Sequence, residues 1–176
     1  MAATFIWQEA NGAGQTVTTA TAVNWKNIDD NTGTAYSAAP ITAGNNSFEK
    51  WQNGNFTGTY NQLSGGLFAH TLTALGTGLT LKGPPTMTSD TTDLAYTTPS
   101  TTTNANLTLD MTTAIAITSG VAVWFGATSP TAASKAATST ANPAYTNYLT
   151  TQMQSTGSAA AGDTATITLT LRYLEN

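Results

Sequence analysis

Apolar and polar residues alternate with a period of two along much of this 176-residue chain. The pattern is clearest near the end. In Thr164–Leu174, Ala165, Ile167, Leu169, Leu171 and Tyr173 share one face, and Thr164, Thr166, Thr168, Thr170 and Arg172 share the other. Such alternation predicts a half-buried strand. Thr4–Glu9, Phe56–Tyr60, Leu67–Leu75 and Leu79–Lys82 read as further strands. Gln15–Asn24 reads as one or two strands, and Val121–Phe125 as a well-buried one. Leu107–Asp110 and Ala114–Thr118 are short apolar runs. Turn signals (Asn11-Gly12-Ala13-Gly14, Asn45-Asn46, Gly65-Gly66, Gly83-Pro84-Pro85) punctuate the runs. Tyr145–Gln154 fits both periods: Tyr145, Tyr148, Leu149 and Met153 are at helical spacing, while Leu149, Thr151 and Met153 alternate. The strand is favoured because a turn and a clear strand follow. Residues 87–106 and 128–143 are rich in Thr, Ser and Ala and read as extended loops. With strands and turns recurring every roughly 8–12 residues and no long helical period, the prediction is all-β. It is an antiparallel β-sandwich, jelly-roll-like, a single domain over 1–176 with long Thr-rich loops.

Composition narrows the chemistry. Only 8% of residues are charged, Cys is absent, His occurs once and the net charge is −4. Acid–base, metal and phosphate chemistry draw on the scarce types, so neither an enzyme nor a cofactor is expected. The five basic residues, Lys26, Lys50, Lys82, Lys135 and Arg172, are scattered. A nucleic-acid footprint needs them clustered, so no nucleic-acid partner is expected. No apolar run approaches the ~20 residues of a membrane-spanning helix, and no membrane partner is expected. The opening MAATFIWQEA lacks the basic start of a secretion signal.

Individual candidates are weak. His70 lies between Phe68 and Leu72 on a strand face and reads as a packed or interface histidine. Asp29, Asp30, Asn31 and Thr32 form the densest acidic cluster. Its spacing does not match a twelve-residue calcium loop, so a structural turn is expected over a weak Ca²⁺ site. Asp90 and Asp93 are a weaker case. Asn11–Thr16 is Gly-rich but lacks the Lys of a phosphate loop. Catalytic and metal-ligating residues are therefore expected to be none. Thr-x-Thr pairs at 16/18, 57/59, 71/73, 86/88 and 166/168/170 fall at irregular intervals, unlike the registered ranks of an ice-binding face. Trp7, Trp25, Trp51 and Trp124 could include a sugar-stacking platform, although Trp in a sandwich is more often core.

Three stretches, Ala22–Asp30 (AVNWKNIDD), Pro40–Tyr60 (PITAGNNSFEKWQNGNFTGTY) and Tyr145–Gln154 with Ala161–Glu175, resemble small structural proteins of tailed bacteriophages. The similar proteins are β-sandwiches of the head-decoration or cement type. The resemblance implies a virion protein on the capsid surface, assembled in the host cytoplasm. Its partners would be the major capsid protein and itself, as a homotrimer or homodimer. It carries no catalytic residue. Tail or fibre components and a carbohydrate-binding, adhesin-like module are the alternative functions. The candidate interface anchors are Phe5, Trp7, Trp51 and Tyr60, since large aromatics dominate interface energetics. The Thr4–Glu9 strand is a candidate docking edge.

Overall fold

The computed structural model describes residues 2–31, 36–86, 94–128, 135–160 and 166–176. It is nearly all β and every strand pair is antiparallel. The strands are β1 (Ala2–Asn11), β2 (Thr16–Thr19), β3 (Trp51–Thr59), β4 (Leu63–Leu72), β5 (Leu79–Gly83) and β6 (Leu109–Asp110). They continue as β7 (Val121–Val123), β8 (Phe125–Gly126), β9 (Thr138–Ser139), β10 (Ala144–Thr146), β11 (Gln152–Ser155) and β12 (Ile167–Glu175). Helical structure among the described residues amounts to short 3-10 turns at Tyr36–Ala38 and Ile117–Ser119.

Among the described residues three sheets form: β2-β1-β3-β10-β8, then β12-β4-β7 with β9 also on β4, and β11-β5-β6. The first two face each other. Phe56 of β3 is fully buried and packs against Phe5, Phe125 and Tyr173, with ring centroids 5.2, 5.7 and 4.7 Å away. A second cluster, including Phe68, Leu81, Val123, Leu149 and Met153, lies between the β4 and β5 sheets. A third, around Ala10, Trp51 and Tyr148, is capped by Leu94 and Tyr96.

Sequence and structure diverge at informative places. Val121–Phe125 is two strands. β7 pairs with β4, β8 pairs with β10, and the chain crosses between sheets at Trp124. Asn147 holds that corner: its N–H donates to the Trp124 carbonyl at 3.0 Å and its side-chain oxygen accepts from the Trp124 N–H at 2.9 Å. Strands that change sheets close the corner of a sandwich. Tyr145–Gln154 is extended as expected but split, with buried irregular residues 147–150 between β10 and β11. Within 128–143, residues 129–134 lie outside the described residues, but the rest is not a free loop. Ala136 bridges Phe125, and β9 pairs with Leu63 and Ser64. Residues 87–93 are likewise outside the described set, and 94–106 are irregular as expected.

Two glycines permit this packing. A Cβ at Gly66 would sit 2.7 Å from both the Phe125 ring and the Val123 carbonyl, where β4 crosses beneath the corner. Gly65, at φ +58, leaves room beside Leu174. Truncating Phe56 to Ala removes the ring that three aromatics share. It is expected to lower unfolding free energy by about 3–5 kcal/mol, read from urea denaturation; a loss under about 1 kcal/mol would contradict the packing described.

Candidate interaction surface

The four candidate anchors point into the protein. Trp51 is 1% exposed and meets Tyr148 and Tyr96 edge-on. Tyr60 is buried and its hydroxyl donates to the Ala141 carbonyl at 2.7 Å. Phe5 and Trp7 are half-buried, 5.2 Å apart, and pack into the inter-sheet clusters. Trp51 and Tyr60 are therefore unavailable as surface anchors in this chain, because the stacking of sheets turns their faces inward. Ring pairs among the described residues belong to these clusters, so none forms an exposed, coplanar sugar platform. Thr88 of the 86/88 pair lies outside the described residues, and the other Thr-x-Thr pairs fall on two sheets. Thr71 faces Thr168 across β4 and β12, and Thr57 faces Thr4 across β3 and β1.

Charged residues have gone inside. Of five cationic side chains, Lys26, Lys50 and Lys135 are 2% exposed or less, as are none of the others. Lysine is almost never buried without a partner. Lys50 Nζ lies 3.1 Å from Glu9 Oε1 and donates to the Asp30 carbonyl at 2.7 Å. Lys26 pairs with the Asp30 carboxylate, and Lys135 donates to the Thr128 carbonyl at 2.7 Å. Asp29 accepts from Asn11 Nδ2 and the Gly12 N–H, both at 2.7 Å. The Asp29–Asp30 cluster thus braces the β1–β2 turn and the buried lysines, with its oxygens turned to protein donors.

A second polar group straps residues 96–107 to the body. Glu49, 4% exposed, accepts from Asn104 Nδ2 at 2.8 Å, the Ser100 N–H at 3.2 Å and Trp51 Nε1 at 3.3 Å. Gln152, fully buried, donates to the Thr102, Ser47 and Ser100 carbonyls at 2.9, 3.2 and 3.3 Å. Burial pushes the Glu49 carboxyl above its ordinary value, and the Asn104, Trp51 and Ser100 donors only partly counter it. His70, 1% exposed, faces the Met111 carbonyl at 2.8 Å through Nε2. A carbonyl only accepts, so Nε2 carries the proton. Burial pulls the His70 pKa down against the opposing Met111 and Thr113 carbonyls, which makes it a neutral, packed histidine.

The exterior presents two features. The outer face of the β12-β4-β7 sheet carries a depression of about 350 Å³ walled by Gly65, Leu67, Ala122, Trp124, Arg172 and Leu174. Leu174 is 51% exposed and Arg172 is also exposed. Beside it runs a seam. The Thr73 N–H donates to Thr166, which sets the even residues of β12 toward β4 and sends the backbone groups of Ile167, Leu169 and Leu171 outward. The Trp7 carbonyl accepts from Ala20, so the odd residues of β1 also face away from β3. Ala3 N–H is met there by Glu175 Oε2 at 2.7 Å. Among the described residues no strand pairs with β12 on this edge, or with β1 before Trp7. The expected docking edge at Thr4–Glu9 is open only in its first half, since β2 covers Gln8–Asn11. The depression went unseen in the sequence. Its one signal was Gly65-Gly66 opposite the closing Tyr173-Leu174-Glu175.

Comparison with protein-family models, curated sequences and solved structures returns no match.

The two buried titrations act in opposite directions. His70, with its pKa lowered, contributes stability that is full above pH 6.5 and is lost as pH falls through its folded value. Glu49, with its pKa raised, contributes stability that is full below pH 4.5 and is lost as pH rises through its folded value. Urea midpoints at pH 5 and pH 7 are expected to show a smaller gain with pH in His70→Gln than in wild type, and a larger one in Glu49→Gln. Identical differences in all three proteins would rule out both assignments.

Proposed function

We propose that this chain is a non-enzymatic virion component of a tailed bacteriophage that docks on the head lattice and reinforces contacts between major capsid protein subunits. The observation that carries the reading is the open seam of β12 and β1 beside an apolar depression. Unpaired edge groups give an extended partner segment hydrogen bonds, and Trp124 and Leu174 give it apolar contact. The resemblance of Pro40–Tyr60 and the closing strand to decoration proteins supports the same role. So does an exterior with few charges, which suits a surface covered by neighbours. Repeated over a shell, even a modest interface stabilises the assembly by mass action. The chain acts by binding; self-association as a trimer or dimer belongs to the same proposal.

Imaging heads that carry or lack this protein tests the role. The expected result is an added density over capsid-subunit junctions and loss of that density, with genome release at lower temperature, on deletion. Leu174→Asp, at an exposed position, is expected to fold and to reduce occupancy on heads. Unchanged shell density after deletion, or unreduced occupancy of Leu174→Asp, would sink the head role or the docking face respectively. Density at the tail instead would favour a tail or fibre component.

A further inference from the structure

Three side chains at the open end of the β1–β3 ladder form an arrangement that ion pairing leaves unexplained. The register runs Glu9↔Gln52, Ala10↔Trp51, so the next step sets Asn11 opposite Lys50. Glu9 and Asn11, two apart on β1, share a face. A single oxygen, Glu9 Oε1, accepts from Lys50 Nζ at 3.1 Å and from Asn11 Nδ2 at 3.0 Å. Two donors on one carboxylate oxygen stand within about 5 Å of each other at ordinary hydrogen-bond angles. Asp30 O fixes the amine from a second side, and Asp29 Oδ1 fixes the carboxamide. Glu9 is fully buried and Lys50 1% exposed, so bulk water does not compete for either group.

We infer that Lys50 and Asn11 are the partners of an intramolecular amide cross-link and that Glu9 moves the proton. The Glu9 carboxylate takes a proton from the Lys50 ammonium and frees its lone pair. Nζ then attacks Asn11 Cγ. The adduct collapses as the Cγ–Nδ2 bond breaks: the Glu9 carboxyl gives its proton to the departing nitrogen, and the carboxylate then takes the second proton from Nζ and passes it to the ammonia, which leaves as ammonium and restores Glu9. One C–N bond forms, one breaks, and no oxidant or co-reactant is required. Holding a buried amine and a half-buried amide against one buried proton carrier is what makes an otherwise slow aminolysis feasible. It also gives the buried pair a purpose, because desolvation offsets much of the stability an ion pair contributes. The link would tie β1 to the entry of β3 in a chain with no cysteine for a disulfide.

A rival acceptor of the same carbon exists. Asn11 precedes Gly12, whose backbone nitrogen could close a succinimide with the same loss of ammonia. The Gly12 N–H is donated to Asp29 Oδ2 at 2.7 Å, which holds that nitrogen away from the reaction.

Intact mass and tryptic mapping of the purified full chain decide the matter. Wild type is expected to be about 17 Da lighter than its sequence, with no cleavage after Lys50 and with peptide 1–26 joined to peptide 27–82 as a branched species. Asn11→Ala keeps the Glu9–Lys50 pair and so is expected to fold. It should show its full sequence mass, cleavage after Lys50 and separate peptides. Glu9→Gln is expected to leave the peptides unlinked. Folded wild type at full mass with normal cleavage after Lys50 overturns the proposal. A 17 Da loss confined to a linear 1–26 peptide also overturns it, being the Asn11–Gly12 succinimide. Branching that survives in Glu9→Gln overturns the role of Glu9.

Discussion

A charge taken out of water has to meet its partner inside the protein, and that requirement organises the first sheet of this fold. Glu9 lies on β1, Lys50 enters β3, and Asp30 arrives from the connection between β2 and the 3-10 turn at Tyr36–Ala38. None of these groups could be buried alone without a large desolvation penalty. Together they make one arrangement of the three segments far better than its neighbours. A one-residue slip of β1 against β3 would turn Glu9 to the opposite face and strand Lys50 without its carboxylate. The charges are few, but their placement fixes register where alternating threonines would tolerate error.

The corner at Trp124 plays the equivalent part for the sandwich. β7 and β8 are short, and each alone would hold its sheet weakly. Because they are consecutive, the pairing of β7 with β4 positions β8 against β10, and Asn147 locks the crossing on both sides. The Phe56 cluster fills the space between the sheets thus joined. On the opposite side the described residues form no such corner. There β1 and β12 approach without pairing among the described residues; Glu175 Oε2 accepts from the Ala3 N–H and the Phe5 and Tyr173 rings stand 6.4 Å apart. The sandwich is closed by covalent continuity on one flank and left open on the other.

Strand identity was legible wherever the pattern was local. The alternation of Ile167, Leu169, Leu171 and Tyr173 translates directly into β12, with those four half-buried and Thr168, Thr170 and Arg172 exposed. What the residues could not reveal was non-local. Trp124 sits inside an unbroken apolar run, and only its pairing with a residue 23 positions away shows that the run turns. The lysines are merely scattered along the sequence, and nothing local to Lys50 marks its partner Glu9, 41 residues upstream. Tyr60, expected to end the strand Phe56–Tyr60, lies one residue past β3, and Trp51, given no element in the sequence, opens β3; which rings turn inward depends on how sheets stack. Glu49 and Gln152 gave no sign of themselves, since their partners lie in a stretch with no periodicity of its own.

That stretch, residues 96–107, is held chiefly by neutral groups. Gln152 grips three carbonyls, Asn46 donates to the Thr101 carbonyl at 3.2 Å and to Thr103 Oγ1 at 2.9 Å, and the single carboxylate involved, Glu49, is shielded from solvent. Dissolved ions weaken attractions between exposed charges and barely touch short contacts between dipoles in a dry interior. The flap should therefore stay seated across the whole span from dilute buffer to brine, a tolerance that a surface fastened by lysine–carboxylate pairs would not have.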